Sequence, residues 1–402
     1  MACDIAQSSE EESVTLKVVV VGAGVVGAAC AFHAASAGMD VTIVDRGPVG
    51  AGTTSRGEGN VLLSDKEPGP ELDLARLSRT LWEEIGRELG PESFELEPKG
   101  GLVVAGTAEG LAALEAFAAR QAAAGVRTEP VDRVRDLEPL IAPGVPGGVL
   151  YSQDAQVQPV LAAAALLRAA VRHGARLHAG EVVRAVTGGA GQVTGVRTAA
   201  GEVLPADAVV NAAGTWGGEV GRRLGAPVEV LPRRGFVLVT QPLPAMVRHK
   251  VYSADYVANV ASSDAGLETS CVVEGTRGGT ILIGASRERV GFDTTMNTAV
   301  VTRLAAQACR LFPFLREVHL IRVYRGFRPY CPDHLPVVGP DPRVPGVVHA
   351  CGHEGAGIGL APATGALVTA HLLRRPWRGA DPAAHAGLLP DRFLTTPGGA
   401  PQ

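Results

Sequence analysis

Short β-branched runs and Ala-rich amphipathic segments alternate along the first part of the chain. Residues 16–21 form an apolar run typical of a strand that is buried on both faces of a parallel sheet. An Ala-rich segment follows and predicts a helix that ends near Ala37, with Gly38 as its stop. A second strand is predicted over 40–44. This order predicts one βαβ unit.

The rest of the chain changes between helical and strand periodicity several times. Short strands with Gly-rich turns predict a small β-meander over 181–204, and 227–324 is mostly strand-like. The last predicted unit is a strand, a Gly-rich loop and a helix. The predicted helices are 111–124, 159–173, 297–312 and 360–373, and the clearest further strands are 208–210, 235–240, 271–274, 280–284 and 346–351.

Composition is that of a folded protein with more than one domain. The chain has 402 residues, of which 46% are hydrophobic and 19% charged. A net charge of −4 argues against a nucleic-acid or anionic-membrane partner, since both favour a basic face. The longest apolar run, 18–32, is too short and Gly-rich to span a bilayer, and the acidic start predicts no signal peptide, so we expect a cytoplasmic protein. Six scattered cysteines without a CxxC pair disfavour a metal site.

A GxGxxG motif lies between the first predicted strand and helix, with its glycines at Gly22, Gly24 and Gly27. In such a motif the first glycine allows a tight turn, the second lets a pyrophosphate approach the backbone, and the third brings helix and strand together. Asp45 ends the second strand, where a carboxylate can accept hydrogen bonds from a ribose. The motif predicts dinucleotide binding but leaves FAD and NAD open. We find no second such motif, because the nearest candidate, 355–360, ends in leucine.

Several further motifs appear in a characteristic order. They are Asp45-Arg46, 52–55, 209–214, 325–329 and 352–365. Together with the GxGxxG motif, which we call the fingerprint, these motifs show that residues 15–375 resemble the FAD-dependent D-amino-acid oxidase and glycine oxidase family. Within that family, 57–60 and 328–334 are most similar to bacterial β-type subunits, such as those of D-hydroxyproline dehydrogenase and hydrogen cyanide synthase.

The resemblance implies a mixed α/β and α+β fold with two discontinuous domains. An FAD-binding Rossmann-like domain is expected to comprise 15–84, 151–217 and 326–375. A substrate domain with a large antiparallel sheet is expected to comprise 85–150 and 218–325. Residues 1–14 and 376–402 are expected to be tails.

The resemblance also implies hydride transfer from the α-carbon of an amino or imino acid to flavin N5. Arg328 matches the position that binds the substrate carboxylate, a task suited to a planar guanidinium. Asn60 matches a loop beside the flavin ring, and His353 is either substrate-facing or a hydrogen-bonded structural residue. The implied cofactor-binding residues are Gly22, Gly24, Val25, Val26, Gly27, Asp45, Arg46, Thr53, Thr54, Ser55, Gly59, Asn60, Val61, Val183, Ala213, Gly214, Trp216, Arg328, Gly355, Gly357, Ile358 and Gly359.

Three departures from the family pattern affect the substrate and the flavin linkage. Val272 stands where the family's oxidases carry a tyrosine that assists the arginine, so this carboxylate ligand is either missing or supplied elsewhere, for example by Tyr252 or Tyr256. Gly355 replaces an arginine that follows the Gly-His pair in glycine oxidase. Cys331 does not align with the cysteine that binds flavin covalently in monomeric sarcosine oxidase, so non-covalent FAD is expected.

Three functions compete at this stage. The first is an amino- or imino-acid oxidoreductase, and the second is an NAD(P)H-dependent flavoprotein, which would need a second nucleotide site. The third is a flavin-carrying subunit that acts only within a heteromeric dehydrogenase complex. A partner subunit or a homo-oligomer is compatible with the first and third.

Overall fold

The computed structural model describes residues 15–260 and 262–394. The expected tail at 1–14, and residues 395–402 of the expected C-terminal tail, lie outside these ranges. The helices are α1 (Val25–Ser36), α2 (Pro70–Leu89), α3 (Ala108–Ala123), α4 (Val134–Leu137), α5 (Pro159–Arg172), α6 (Gly217–Arg223), α7 (Ala254–Val260), α8 (Thr298–Leu311) and α9 (Gly357–Leu373). The strands are β1 (Lys17–Val21), β2 (Asp40–Asp45), β3 (Asn60–Val61), β4 (Gly101–Val104), β5 (Glu129–Val131), β6 (Gly148–Tyr151), β7 (Ala155–Gln156), β8 (Arg176–Ala179), β9 (Val182–Thr187), β10 (Val193–Thr198), β11 (Val203–Pro205), β12 (Ala208–Asn211), β13 (Leu231–Thr240), β14 (Lys250–Ser253), β15 (Glu268–Gly275), β16 (Ile281–Arg287), β17 (Leu320–Tyr330), β18 (Val337–Pro340) and β19 (Val347–Cys351).

A six-stranded sheet in the order β18-β19-β12-β1-β2-β8 forms one half of the molecule. Its strands are parallel except β18, which pairs antiparallel with β19 at an edge. Strand β1 is buried on both faces because its alternate valines enter different cores. Val18 and Val20 pack in the core that contains α1, α5 and α9, whereas Val19 and Val21 pack against the small sheet β11-β10-β9. The predicted βαβ unit and β-meander are confirmed.

An eight-stranded mixed sheet in the order β17-β13-β16-β15-β14-β4-β6-β5 forms the other half. In strand β13, one face of this sheet packs on a hydrophobic core and the other face lines a cleft. Phe236 and Leu238 pack in the core with α8. Gly235 and Val237, which alternate with them, line a cleft between the two sheets. The period-2 alternation of a strand therefore presents one face of the sheet to the cleft.

Helix α9 begins at Gly357, three residues before the predicted start at 360. The prediction began the helix at the first leucine, but the glycines before it continue the helical path. Helix α2 holds this first turn, because Ser78 Oγ donates to the Gly359 carbonyl at 2.6 Å and Trp82 Nε1 donates to the Ile358 carbonyl at 3.2 Å. The N-terminus of α9 is thereby fixed at the cleft.

Two expected domain boundaries cut through elements of the structure. The boundary at 84/85 falls inside α2, and the boundary at 325/326 falls inside β17, so residues 326–330 continue the eight-stranded sheet. Residues 376–394, expected to belong to a loose tail, instead pack on the protein. Ala380 and Leu388 are completely buried there because two short 3₁₀ helices fold back onto the core. Within the described ranges, none of the helices combines the length and apolar composition that a membrane span requires.

Candidate active site

The fingerprint loop joins β1 to α1 in a tight turn. Gly22 has a φ of +115°, and a Cβ at this position would lie 2.5 Å from the Ala212 carbonyl oxygen. A Cβ on Gly27 would collide with the Gly22 carbonyl, so this glycine allows the helix to pack against the turn. Gly24 is the N-cap of α1 and lines the cleft. No larger side chain fits at Gly22 or Gly27.

Asp45 lines the cleft at the end of β2 and also organises the loop. Its Oδ2 accepts a hydrogen bond from the Ala23 N–H at 2.7 Å, and its Oδ1 accepts one from the Gly47 N–H at 2.8 Å. A carboxylate has about four acceptor positions, so these bonds leave capacity for a ribose hydroxyl. The loop-fixing role was not predicted, because the partner amides are backbone groups with no sequence signature.

The cleft has a volume of about 330 Å³ and lies between the two sheets. The N-termini of α1 and α9 both open into it, and each provides backbone N–H groups and a positive dipole end. Most of the residues predicted for the site lie along this cleft. They are Gly22, Gly24, Val25, Val26, Asp45, Arg46, Thr53, Thr54, Asn60, Ala213, Gly214, Trp216, Arg328, His353, Gly355, Gly357 and Ile358.

Four residues predicted for cofactor binding do not line the cleft but support its walls. They are Gly27, Ser55, Gly59 and Val61. A Cβ on Gly59 would collide with the Val157 carbonyl, so this glycine allows two chain segments to approach closely. Val61 is buried in the core, and Ser55 Oγ donates a long 3.4 Å hydrogen bond to the nearby Gly52 carbonyl. These are packing positions, which a motif match does not separate from contact positions.

Two further predicted residues lie next to the cleft. Gly359 lines a cavity of about 10 Å³ that adjoins the cleft at Asn60 and Gly355. Val183 lies in β9, directly after the cleft-lining Val182.

A stack of planar side chains forms one end of the cleft. The Arg46 guanidinium carbon lies 4.9 Å from the centroid of the Trp216 ring, and the Phe292 ring stacks on Trp216 at 5.6 Å and 11°. Glu181 Oε1 lies 3.5 Å from Arg46 Nη1 and holds the guanidinium from the side. Phe292 was not predicted, because it comes from a loop far away in the chain. The stack gives the cleft a flat wall beside Asp45.

Arg328 lines the cleft on β17, next to Phe327, whose ring packs edge-on against Phe292 of the stack at 5.3 Å. Its Nη1 donates to the Ser286 carbonyl at 2.8 Å, and no carboxylate among the described residues forms an ion pair with it. A Cβ on Gly235 would collide with the guanidinium, and one on Gly355 would lie 3.4 Å from Nε, so two glycines make room for it. Burial, followed by the charge of Arg287, lowers the pKa of Arg328 to about 10. The group is therefore a half-buried cation at neutral pH.

His353 lines the cleft in the loop before α9 and is itself buried. Its Nε2 lies 3.0 Å from Thr364 Oγ1, which fixes the ring. Burial lowers the pKa of His353 to about 4, so the ring is neutral at pH 7. A neutral, tethered imidazole contributes shape and hydrogen bonding to the cleft rather than charge.

A buried charged cluster, which sequence reasoning missed, lies beside Asn60. The Lys250 ammonium donates to Asn60 Oδ1 and Glu274 Oε2, and it lies 3.8 Å from Glu58 Oε2. Glu58 and Asn60 line the cleft. The available signal was a charged residue beside apolar positions in each of two strands, since Lys250 and Glu274 come from adjacent β14 and β15. Glu274 is completely buried.

Of the two tyrosines considered as substitutes for Val272, only Tyr256 lines the cleft. The Tyr252 hydroxyl instead donates to Ser64 in the core, and Val272 is fully buried in β15. The Arg287 guanidinium carbon lies 4.6 Å from the centroid of the Tyr256 ring. Arg287 directly follows Ser286, whose carbonyl accepts from Arg328, so Tyr256 and Arg328 both lie near this part of β16.

With this fold and cleft, the chain belongs to the FAD-dependent oxidoreductase family, whose model matches residues 17–371. A βαβ unit that carries the GxGxxG motif, a second helix N-terminus at the cleft and a large mixed sheet over the cleft agree with this assignment.

Relatives from characterised proteins support the same family. Glycine oxidase from Pseudomonas aeruginosa is 32% identical, over 93% of this chain and 99% of the relative. A hydrogen cyanide synthase subunit from the same species is 28% identical, over 88% of this chain and 91% of the relative. The crystal structure of glycine oxidase from Geobacillus kaustophilus superposes with a TM-score of 0.81 and 28% identity, covering 92% of this chain and 98% of that structure.

The lining of the cleft fits FAD. The two helix N-termini offer N–H groups at separate positions, as a diphosphate and the polar edge of a flavin ring require. Glycines 22, 24, 355 and 357 keep the backbone accessible at both ends. Cys331 is buried beside the core residue Cys351 and does not line the cleft.

Proposed function

We propose that this protein is an FAD-dependent oxidoreductase that oxidises an α-amino or imino acid to its imine. The observation that carries the proposal is Arg328, a half-buried guanidinium in the cleft whose only hydrogen-bond partner among the described residues is a backbone carbonyl. A partly desolvated cation without a counter-ion is stabilised when a ligand provides one. A substrate carboxylate would bind to its planar fork with two parallel hydrogen bonds.

FAD would lie along the cleft, held without a covalent bond, and would supply the hydride acceptor. Its diphosphate would lie at the first turn of α1, near Gly24 and Val25, and its ribose at Asp45. The turn at Gly357 would direct N–H groups and a helix dipole toward the polar edge of the flavin ring. Arg46, Thr53, Thr54, Ala213, Gly214, Trp216 and Ile358 are the further residues that we propose to contact the cofactor.

The protein's own contribution is orientation and exclusion of water. Arg328 would fix the carboxylate, and Tyr256 would offer a second hydrogen bond to it in place of the family's missing tyrosine. His353, neutral and held by Thr364, would close one side of the cleft. Asn60, anchored by the Lys250 ammonium, would present its amide beside the reacting carbon. Preorganised groups of this kind lower the entropic part of the barrier.

We further propose that the six-stranded half carries the cofactor and that the eight-stranded half covers the substrate.

One relative is a subunit of hydrogen cyanide synthase, and another, 30% identical over 88% of this chain, is the bifunctional protein ThiO/ThiG of Trichormus variabilis. These relatives support the proposal that the chain works with a partner subunit. The molar mass of the native protein in solution tests that point.

The experiment for the activity uses the purified yellow protein under anaerobic conditions. The flavin absorbance is followed after addition of glycine, sarcosine, D-amino acids, cyclic imino acids or NADPH. We expect bleaching by at least one amino or imino acid and none by NADPH alone. Bleaching by NADPH in the absence of any amino acid would refute the proposal and favour the reductase alternative.

A further inference from the structure

The buried cluster beside Asn60 carries more negative than positive charge. Lys250 is the single cation among its three ionisable side chains, and Glu58 and Glu274 are the two carboxylates. Although burial acts to lower it, the charges of Glu274 and Glu58 raise the pKa of Lys250, so the ammonium stays protonated. Its direct hydrogen bond goes to Glu274, whereas Glu58 lies 3.8 Å away. Lys250 therefore neutralises Glu274 and leaves Glu58 mostly uncompensated.

Glu58 also has unused hydrogen-bonding capacity at the cleft. It is 7% exposed and lines the cleft, and its Oε1 has no hydrogen-bond partner among the described residues. Its Oε2 receives only a long 3.4 Å contact from Asn60 Nδ2. Gly284 on β16 makes space for the carboxylate, since a Cβ there would lie 2.6 Å from Oε1. A buried carboxylate that is this poorly satisfied is stabilised when a cationic donor binds it.

Glu58 and Arg328 face the same part of the cleft with opposite charges. Both line the cleft, and both lie against β16 at positions two residues apart: Glu58 Oε1 lies beside Gly284, and Arg328 Nη1 donates to the Ser286 carbonyl. Neither forms a close ion pair with another described residue. The cleft therefore offers a guanidinium and a carboxylate, neither held in a close ion pair, and this combination is complementary to a zwitterion.

We propose that Glu58 binds the amine nitrogen of the substrate while Arg328 binds its carboxylate. This inference rests on the proposed function and defines its substrate class: α-amino or imino acids with a basic primary or secondary amine. N-acylated amino acids and 2-hydroxy acids lack the cationic nitrogen and are excluded. Oxidation requires the neutral amine, so the bound ammonium would first lose one proton to water; as the α-carbon then gives its hydride to the flavin, the Glu58 carboxylate would stabilise the positive charge of the resulting iminium.

The test compares the amino acid that best bleaches the wild-type flavin with its deaminated analogue, for example glycine with acetate. Binding is measured by the change in the flavin spectrum, using a non-reducing analogue pair where turnover interferes. In Glu58→Gln, we expect affinity for the amino acid to fall about 100-fold, as for one partner removed from a desolvated ion pair. Affinity for the deaminated acid should stay equal or rise, because a negative charge near Arg328 has been removed. This opposite response is one that a general structural defect would not produce.

Glu58→Asp is a second variant in case the glutamine variant retains no FAD. It keeps the negative charge, so it should still bind the amino acid more tightly than the deaminated acid. Its shorter side chain should make the binding of the amino acid weaker than in wild type. Glu97→Gln is the matched control, because Glu97 lies outside the cleft and 3.5 Å from Lys99. If Glu58→Gln binds the amino acid within two-fold of wild type, the role of Glu58 is refuted while the proposed function stands. If no amino acid reduces the wild-type flavin, the proposed function itself fails.

Discussion

Replacement of Arg328 by alanine distinguishes two roles for this residue, binding of the substrate carboxylate and support of the fold. Within the protein, the guanidinium makes one hydrogen bond, to the Ser286 carbonyl at 2.8 Å, and its loss should cost the fold only about 1 kcal/mol. Loss of the counter-ion for a desolvated carboxylate costs about 3–5 kcal/mol, which corresponds to a fall of several hundred-fold or more in the efficiency of flavin reduction. We therefore expect Arg328→Ala to fold and bind FAD but to lose most reduction by its amino acid.

The assay is anaerobic stopped-flow reduction, with the rate expressed per bound flavin. Arg328→Lys should recover only part of the rate, because an ammonium keeps the charge but lacks the planar fork. Arg322→Ala is the control, since Arg322 lies on the same strand, is exposed and does not line the cleft. A rate in Arg328→Ala within a few-fold of wild type would remove this arginine from the site. Loss of FAD with an unchanged rate per flavin would assign it a structural role.

Further predictions concern the cofactor and stability. Gly24→Val should abolish FAD retention, because a branched side chain at the N-cap of α1 would block the diphosphate. It would also crowd Thr54 Oγ1, which lies 3.2 Å from the position of a Cβ. Equal flavin content in variant and wild type would contradict this prediction. Asp45→Ala should weaken FAD binding by about 1–3 kcal/mol, measured by titration of the apoprotein. Burial lowers the pKa of His353 to about 4, so His353 of the unfolded chain takes up a proton first as the pH falls below the ordinary value of 6.5. The free energy of unfolding of wild type should therefore fall by about 3 kcal/mol between pH 6.5 and 4. Urea unfolding should show that His353→Gln lacks this loss.

The sequence predicted the parts of the fold that local patterns encode. The valines of β1 and the glycines after them predicted a buried strand and a tight turn, and both are present. The start of α9 was predicted three residues late, because the glycines before Leu360 carry no helical signal and tertiary contacts decide the helix end. The packing of residues 380–388 was missed for the same reason, since Pro, Gly and Ala give no periodicity.

The candidate site was predictable wherever a residue type and a motif position coincide. Arg328 follows from its motif and lines the cleft. The ion pair between Lys250 and Glu274 was not predicted, because it depends on the register of two strands that a sequence leaves open. The choice between Tyr252 and Tyr256 also depended on side-chain direction, which only the packing around Ser64 decides.

The contacts that hold the first turn of α9 have a consequence for biosynthesis. Ser78 reaches a carbonyl 281 residues further along the chain, and Trp82 reaches one 276 residues away. A ribosome must therefore release the chain through the start of α9 before the second helix N-terminus can join the cleft. The fingerprint loop precedes α9 by about 330 residues and emerges much earlier, since translation adds about 5–20 residues per second. With FAD placed as we propose, a nascent chain could hold at most the diphosphate half of the cofactor until α9 has emerged and docked on α2.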